Sequence, residues 1–412
     1  MEYGCIGKSL PHSFSKEIHA LIDSYRYELR ELRPEELAGF LKEADFRGVN
    51  VTIPYKEAVL PYLSEISESA RAIGAVNTIV NRDGRLLGFN TDFSGMDALL
   101  RHAGLDLRGK KVLIPGTGGT SRTALALARA RGAREIYRVS RSGKDGALSY
   151  DEAMDRHGDA EIIINTTPCG MFPDHRAKPL SLEPFARLEG VIDAIYNPLR
   201  TELVLDALSR GVRAEGGLYM LAAQAVYAAE LFLDKRYPAG LTDSIWKKVR
   251  GDKENIVLIG MSGAGKTAAA GALKRITERP MEDTDLMVER RTGMKIRDIF
   301  ARYGEEHFRR LESEAIDSLS GETGMIISTG GGAPLRPENL SALKKNGRIV
   351  LLERDPEDIL PDPSRPLADT EEKIRALYAA RYPIYRAAAD AAVRVSGTPD
   401  ATAMEILRER LS

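Results

Sequence analysis

Two glycine-rich stretches in this chain have the residue types to hold phosphate. GMSGAGKT, residues 260–267, fits the pattern G-x-x-x-x-G-K-[ST]. Glycines in such a loop let successive backbone N–H groups face an anion, the lysine reaches the β- and γ-phosphates, and the adjacent hydroxyl ligates Mg²⁺. Gly263, Ala264 and Gly265 are then the loop, Lys266 the cation and Thr267 the hydroxyl. PGTGGTS, residues 115–121, brings Gly116, Gly118, Gly119 and Thr120 into a turn of the dinucleotide-binding kind, with Ser121 at the third glycine position of G-x-G-x-x-G. About twenty residues further on, where an NAD-binding domain carries an acidic residue for the ribose 2′-hydroxyl, stand Ser140 and Arg141. Arg141 can pair with a 2′-phosphate, which favours NADP(H).

Both turns need a strand before them and a helix after. KKVLIPGTGGTSRTALALARARG (110–132) and NIVLIGMSGAGKTAAAGALKRI (255–276) supply both: a β-branched apolar run, the glycine turn, then Ala/Leu-rich sequence. Because a phosphate loop follows the first strand of its own domain, some 250 residues ahead of it belong to another folded region. The charged stretch KKVRGDKEN (247–255) shows no periodicity and suits a connection between domains, with a boundary near Gly251.

A length of 412 residues accommodates two to four domains. With 59 basic and 60 acidic residues, the formal charge of −1 gives no support to a nucleic-acid or membrane surface. Cys5 and Cys169 form no CxxC pair and read as reduced thiols. The N-terminus lacks a basic segment followed by an apolar run, and no 18-residue apolar stretch occurs. The chain is expected to be cytoplasmic and unprocessed; monomer and homodimer both stay open.

After the phosphate loop come EDTD (282–285), EEHFRRLES (305–313), ISTGGGAPL (327–335), PSRPLAD (363–369) and AARYPIYR (379–386). The two carboxylates of EDTD point the same way if the segment is extended. Taken singly, these stretches read as a charge cluster, a salt-bridged helix face, a glycine turn and a loop arginine. Their order and spacing over residues 252–412 resemble shikimate kinase. The resemblance implies that Asp285 holds the substrate hydroxyls and helps deprotonate the attacking one, and that Asp283 lies with Thr267 in the Mg²⁺ shell. It implies too that Arg309 and Arg381 grip the substrate carboxylate, a task suited to the planar guanidinium. Gly330, Gly331 and Gly332 would approach the ring, and Arg365 would come from a lid to neutralise the transferring phosphoryl group. The segment between Glu353 and Arg365 is shorter than the family's lid, and its stretch EDILPDPS lacks an arginine expected before Arg365.

In the first region, PHSFSKEIH (11–19), GVNVTIPYKEAV (48–59), GAVNTIV (74–80) and GFNTDFSGM (88–96) resemble shikimate dehydrogenase. The likeness continues through INTTPCGM, DAIYNPLRT and GGLYMLAAQAVYAAELF, to about residue 245. It implies a substrate domain over 1–93, completed by a helix at about 218–235, a Rossmann domain over 94–217, and the end of the dehydrogenase with a linker over 236–251. Ser13 and Ser15 offer hydroxyls to a carboxylate, with Tyr196 nearby; Thr52, Asn77 and Gln224 offer neutral groups to ring hydroxyls. Lys56 and Asp92 form the candidate acid/base pair, because a ketone receiving hydride must also receive a proton. Ile195 and Gly217 join the cofactor contacts.

The expected fold is therefore α/β throughout: an α/β substrate domain and a Rossmann NADP domain, then a P-loop domain like that of nucleoside-monophosphate kinases. One family reduces the ring ketone of 3-dehydroshikimate and the other phosphorylates the resulting 3-hydroxyl, so the expected activity is bifunctional, with NADP(H), ATP and Mg²⁺. Two other readings stay open at this point: use of quinate or NAD by the first half, and a catalytically silent second half that only binds ligand.

Overall fold

The computed structural model describes residues 1–10, 13–143, 146–362, 367–395 and 397–411. The chain divides into two compact units, Met1–Arg250 and Gly251–Ser412.

The first unit contains two sheets among the described residues. One has the order β2-β1-β3-β5-β6-β4, formed by β1 (Tyr3–Gly7), β2 (Tyr27–Glu31), β3 (Gly48–Val51), β4 (Glu65–Ile66), β5 (Thr78–Arg82) and β6 (Arg85–Phe89). β1 is parallel to β2 and β3, whereas β5 runs antiparallel to both β3 and β6. The other sheet has the order β11-β10-β9-β7-β8. It comprises β7 (Lys111–Pro115), β8 (Glu135–Val139), β9 (Ile162–Asn165), β10 (Gly190–Asp193) and β11 (Arg213–Glu215), parallel throughout. Every residue of β7, β9 and β10 is buried, the signature of a parallel sheet covered on both faces. Strand order reverses at β7, between β8 and β9, so the crevice at its carboxyl end is where an open α/β sheet receives ligand. The turn Gly116–Gly119 lies there.

Helices Thr91–His102 and Leu218–Leu233 join the two sheets' cores. Met96, Leu99 and Leu100 of the first pack with Met220 of the second and with Val112 and Ile114 of β7, each such side chain contributing roughly 1.5–3 kcal/mol through burial. The helices cross at Gly95, where a Cβ would stand 2.8 Å from the Met220 carbonyl oxygen and 2.9 Å from Gln224 Cβ. The sequence boundary at residue 93 falls inside Thr91–His102, because that helix caps on Asn90, whose side chain accepts from the Phe93 N–H.

Residues 247–255 differ from the sequence expectation of an aperiodic connection. Helix Leu241–Lys253 runs through most of the stretch, and β12 starts at Asn255. Ile245 and Val249, four residues apart and hence on one helix face, are buried with Leu218, Ala222 and Val226. The helix's apolar residues, Leu241, Ile245, Trp246 and Val249, lie mostly ahead of residue 247, so the stretch 247–255 holds Val249 alone and shows no period by itself.

The second unit holds one sheet of order β13-β14-β12-β15-β16, parallel throughout. Its strands are β12 (Asn255–Ile259), β13 (Met281–Asp283), β14 (Ile326–Ser328), β15 (Gly347–Glu353) and β16 (Ala391–Arg394). β12 is central and wholly buried, and the loop 260–265 leaves its carboxyl end for helix Lys266–Thr277. Among the described residues no helix is long and apolar enough to cross a membrane.

Candidate functional sites

In the first unit Lys56 Nζ donates to Asp92 Oδ2 at 2.5 Å, with the side chains only 15% and 8% exposed. Asp92 sits in the first turn of its helix while Asn90 does the capping, so this carboxylate is free for the lysine. The lysine's backbone is held by Val76, whose N–H donates to the Lys56 carbonyl at 2.8 Å. Asn77 follows, and its side chain donates to Thr91 Oγ1 at 3.1 Å and Gln224 Oε1 at 3.3 Å and accepts from the Thr91 N–H at 2.7 Å. A buried chain continues from Asn77 through Thr78 to Asn50, which accepts from the Tyr27 hydroxyl at 2.7 Å. Thr91, Thr78 and Asn50 thus orient Asn77 and Gln224; Thr91 lies inside the quoted stretch GFNTDFSGM, but its hydroxyl role depends on partners distant in sequence.

Ser13 and Ser15 do not alternate on an extended segment. Ser15 opens helix Ser15–Ile22 and its N–H donates to Ser13 Oγ at 3.3 Å. Burial raises the pKa of the Tyr196 phenol, with the Ser13 hydroxyl beside it acting in the opposite sense; Tyr196 also packs on Phe14 at 5.2 Å between ring centroids. Thr52 closes the group, its N–H donating to the Ile6 carbonyl at 3.0 Å.

The glycine turn faces this group. A Cβ on Gly119 would lie 3.6 Å from Lys56 Cδ and 3.8 Å from Ala75 Cβ. Gly116 has φ +117°, and a Cβ there would meet Thr166 Oγ1 at 2.3 Å, so no other residue fits. Ser121, at the third glycine position, is fully buried and donates to the Gly116 carbonyl at 2.7 Å, closing the turn by a side-chain hydrogen bond. Gly118 caps helix Gly119–Ala130, and Thr120 lies in its first turn. At the end of β8, Ser140 Oγ is buried with no partner among the described residues and Arg141 is exposed. An orphan hydroxyl beside an exposed guanidinium, next to a helix N-terminus, fits a phosphorylated ribose.

Ile195 is buried, and its carbonyl accepts from the Gly217 N–H at 2.7 Å, where helix Leu218–Leu233 starts. Beneath them lies Asp193, fully buried, which accepts from Asn165 Nδ2 at 3.0 Å, the Ile195 N–H at 3.0 Å and Thr201 Oγ1 at 2.7 Å. Burial pushes its pKa up to about 6 despite those three donors.

In the second unit Gly265, at φ +98°, caps helix Lys266–Thr277. Gly263 has φ +84°, and Ala264 is buried with its N–H donating to the Met261 carbonyl at 3.1 Å. Lys266 Nζ donates to the carbonyls of Gly260 and Met261 at 3.0 and 2.8 Å. Thr267 Oγ1 lies 2.8 Å from Asp283 Oδ2, and Ser328 Oγ 2.9 Å from the same oxygen. One carboxylate and two hydroxyls are hard oxygen donors of the kind Mg²⁺ takes alongside substrate phosphates and water. Among the described residues no cluster of three or more His, Cys, Asp or Glu could hold a metal by itself.

EDTD is not an extended segment. Asp283 ends β13 and caps helix Thr284–Thr292, accepting from the Asp285 N–H at 3.1 Å, while Asp285 is already helical. The two carboxylates diverge: Asp283 faces the hydroxyls, and Asp285 Oδ1 lies buried with no partner among the described residues. Burial, then the Glu312 and Asp283 carboxylates, hold Asp285 well above the ordinary carboxylate range.

Glu312 went unnoticed in the sequence. It is fully buried, pairs with Arg309 Nη1 at 2.8 Å, and leaves Oε1 without a partner among the described residues. Glu305 binds the other edge of Arg309 at 3.0 Å. The Arg309/Glu312 spacing of three residues was the available signal. A Cβ on Gly330 would lie 2.3 Å from Glu312 Oε1 and 2.5 Å from Asp285 Oδ1, and one on Gly332 would strike the Arg309 guanidinium at 2.2 Å. The Gly331 carbonyl accepts from Tyr385, and Arg381 is buried one helical turn before that tyrosine. Asp285, Arg309, the three glycines and Arg381 line one cavity of about 590 Å³. Arg365 lies outside the described residues, and with it the expected lid contact.

Residues 262–411 match the shikimate kinase family model, and residues 5–79 match that of the shikimate dehydrogenase substrate binding domain. A shikimate dehydrogenase (NADP(+)) of Clostridium perfringens is 34% identical over 266 residues, 60% of this chain and 98% of that protein. The one from Geobacillus kaustophilus is 39% identical over 252 residues, 55% of this chain and 91% of that protein. Shikimate dehydrogenase 1 of Peptoclostridium difficile has a crystal structure that aligns with TM-score 0.56 at 36% identity, covering 60% of this chain and 98% of that one. The Thermus thermophilus enzyme, solved with NADP(H) and shikimate, aligns with TM-score 0.54 at 31% identity, covering 60% and 99%.

Proposed function

From a chain that belongs to the shikimate dehydrogenase family and carries a shikimate kinase domain after it, we infer two consecutive reactions: NADPH-dependent reduction of 3-dehydroshikimate to shikimate, then ATP-dependent phosphorylation of shikimate to shikimate 3-phosphate. The observation that carries this reading is the pairing of two complementary sites on one chain: a proton-bearing Lys56–Asp92 pair against a dinucleotide turn, and unpartnered carboxylate oxygens beside a phosphate loop.

In the first site NADPH supplies the hydride. Lys56 delivers the proton that the carbonyl oxygen needs, and Asp92, 2.5 Å away, holds the ammonium in place and stabilises its charge. Asn77, Gln224 and Thr52 receive ring hydroxyls, while Ser13, Ser15 and Tyr196 take the carboxylate. Gly116, Gly118, Gly119 and Thr120 form the pyrophosphate turn, with Ser140 and Arg141 at the 2′-phosphate and Ile195 and Gly217 along the nicotinamide end.

In the second site MgATP supplies the phosphoryl group. Lys266 leaves the Gly260 and Met261 carbonyls for phosphate oxygens, and Thr267 and Asp283 take the metal. Arg309 and Arg381 grip the shikimate carboxylate, with Gly331 and Gly332 against the ring. Asp285 accepts the hydroxyl proton, its vacant Oδ1 acting as the acceptor. Arg365 is assigned to the phosphoryl group on the sequence resemblance alone.

A coupled assay tests this function. The full chain is given 3-dehydroshikimate, NADPH and MgATP, and both products are resolved. NADPH consumption without shikimate 3-phosphate would leave a dehydrogenase with a silent kinase domain; no NADPH consumption would refute the first half.

A further inference from the structure

An ion pair in the first unit joins two segments that hydride and proton transfer must bring together. Arg122 lies on helix Gly119–Ala130, just after the glycine turn, and Glu57 directly follows Lys56. Arg122 Nη2 and Glu57 Oε2 are 3.1 Å apart, with side chains 37% and 47% exposed. The same guanidinium covers the turn on the far side of the lysine: a Cβ on Gly74 would be 3.4 Å from Arg122 Nη1. Gly74 leads through Ala75 to Val76, whose N–H holds the Lys56 carbonyl. One side chain of the cofactor-side helix thus touches the lysine's loop and the turn that fastens that loop.

We propose that Arg122 is a positioning residue for the dehydrogenase reaction: its ion pair with Glu57 ties the loop bearing Lys56 to the helix whose N-terminus receives the dinucleotide. This rests on the dehydrogenase reading above, with Lys56 as proton donor. Asp92 fixes the lysine from the substrate side, and the Glu57–Arg122 pair fixes the same loop from the cofactor side. Cofactor docking on the helix therefore sets where the ammonium stands relative to the incoming hydride. Half-exposed ion pairs contribute little to folding, whereas a shift of about 1 Å in a reacting group can slow turnover by about 10²-fold. Rate and stability separate under this role, and they do not under a merely structural one.

The test uses the full chain with Arg122→Glu, Glu57→Arg and the double exchange. Each single reversal is expected to lower kcat for NADP-linked shikimate oxidation about tenfold, with KM for shikimate within about twofold, because geometry and not binding is lost. The deuterium isotope effect on hydride transfer should rise, thermal stability and kinase turnover should hold, and the double exchange should recover kcat to within about threefold. Single reversals with wild-type kcat, or a loss the exchange does not recover, would overturn the role. A wild-type chain without NADP-linked shikimate oxidation would refute the dehydrogenase reading itself, and this role with it.

Discussion

The two candidate sites differ in how fully their buried carboxylates are matched. In the first, Asp92 is matched by the Lys56 ammonium and Asp193 by three hydrogen-bond donors. In the second, Asp285 and Glu312 each leave a buried oxygen without a donor among the described residues, both against Gly330. An unsatisfied buried acceptor costs about 1–3 kcal/mol, so a ligand that brings hydroxyl donors would complete the second site, as the proposed function requires. The proposed proton-transfer pair of the first site, Lys56 and Asp92, is already joined in this structure. A reductase must carry its own proton to a ketone, whereas a kinase acting on an alcohol receives the proton from its substrate.

Substitutions can break this contrast. The largest effect is expected from Lys266→Ala, which removes the cation of the phosphate loop: phosphorylation should fall by at least about 10²-fold. Dehydrogenase turnover should stay within about twofold, since sites without shared partners behave additively; assaying both activities on one preparation checks this. Lys56→Ala should do the converse, lowering kcat for ketone reduction by about 10²-fold while kinase rates hold. A near-normal kcat with a raised KM would reduce Lys56 to a binding residue.

Stability effects sharpen the contrast further. Glu312→Ala takes the fully buried partner from Arg309, leaving it the half-exposed Glu305, and should destabilise the kinase unit by about 3 kcal/mol. The readout is the thermal inactivation midpoint of kinase activity in the full chain, with the dehydrogenase midpoint unmoved. Asp193→Asn should act least. The fold raises this carboxyl from 3.8 to about 6, so it favours the protonated form; that contribution is present below about pH 4 and is lost as pH rises through about 6. The asparagine variant should therefore gain a few degrees in Tm relative to wild type between pH 4 and pH 8, and a gap that does not change with pH would contradict the assignment.

What was legible in the sequence followed from local chemistry. Gly116, Gly265 and Lys266 declare themselves because a strand-to-helix turn around an anion demands those residue types at fixed offsets. Lys56 and Asp92, 36 residues apart and joined at 2.5 Å, carry no such local mark and were placed by family likeness. Glu312 was illegible because EEHFRRLES offers three glutamates on a helix, and only burial distinguishes the one facing inward. The divergence of Asp283 and Asp285 was likewise hidden, since it depends on a helix starting between them. The helix through residue 253 escaped notice because its apolar stripe, Leu241, Ile245 and Val249, ends at Val249 and the residues after it are charged or glycine.

Gly95 takes part in no chemistry, yet it bears on how this chain can vary. It is the point where the helix carrying Asp92 rests on the helix carrying Gln224, with no room for a methyl group. Its missing side chain acts as a gauge block: the thickness of bare backbone fixes the spacing between Asp92, at the proposed proton-handling end of the site, and Gln224, at the proposed hydroxyl-reading end. Adding one carbon would change that spacing without touching a functional group. A survey of tolerated substitutions should therefore find, one turn away from the acid/base pair, a position as intolerant as the pair itself and silent about why.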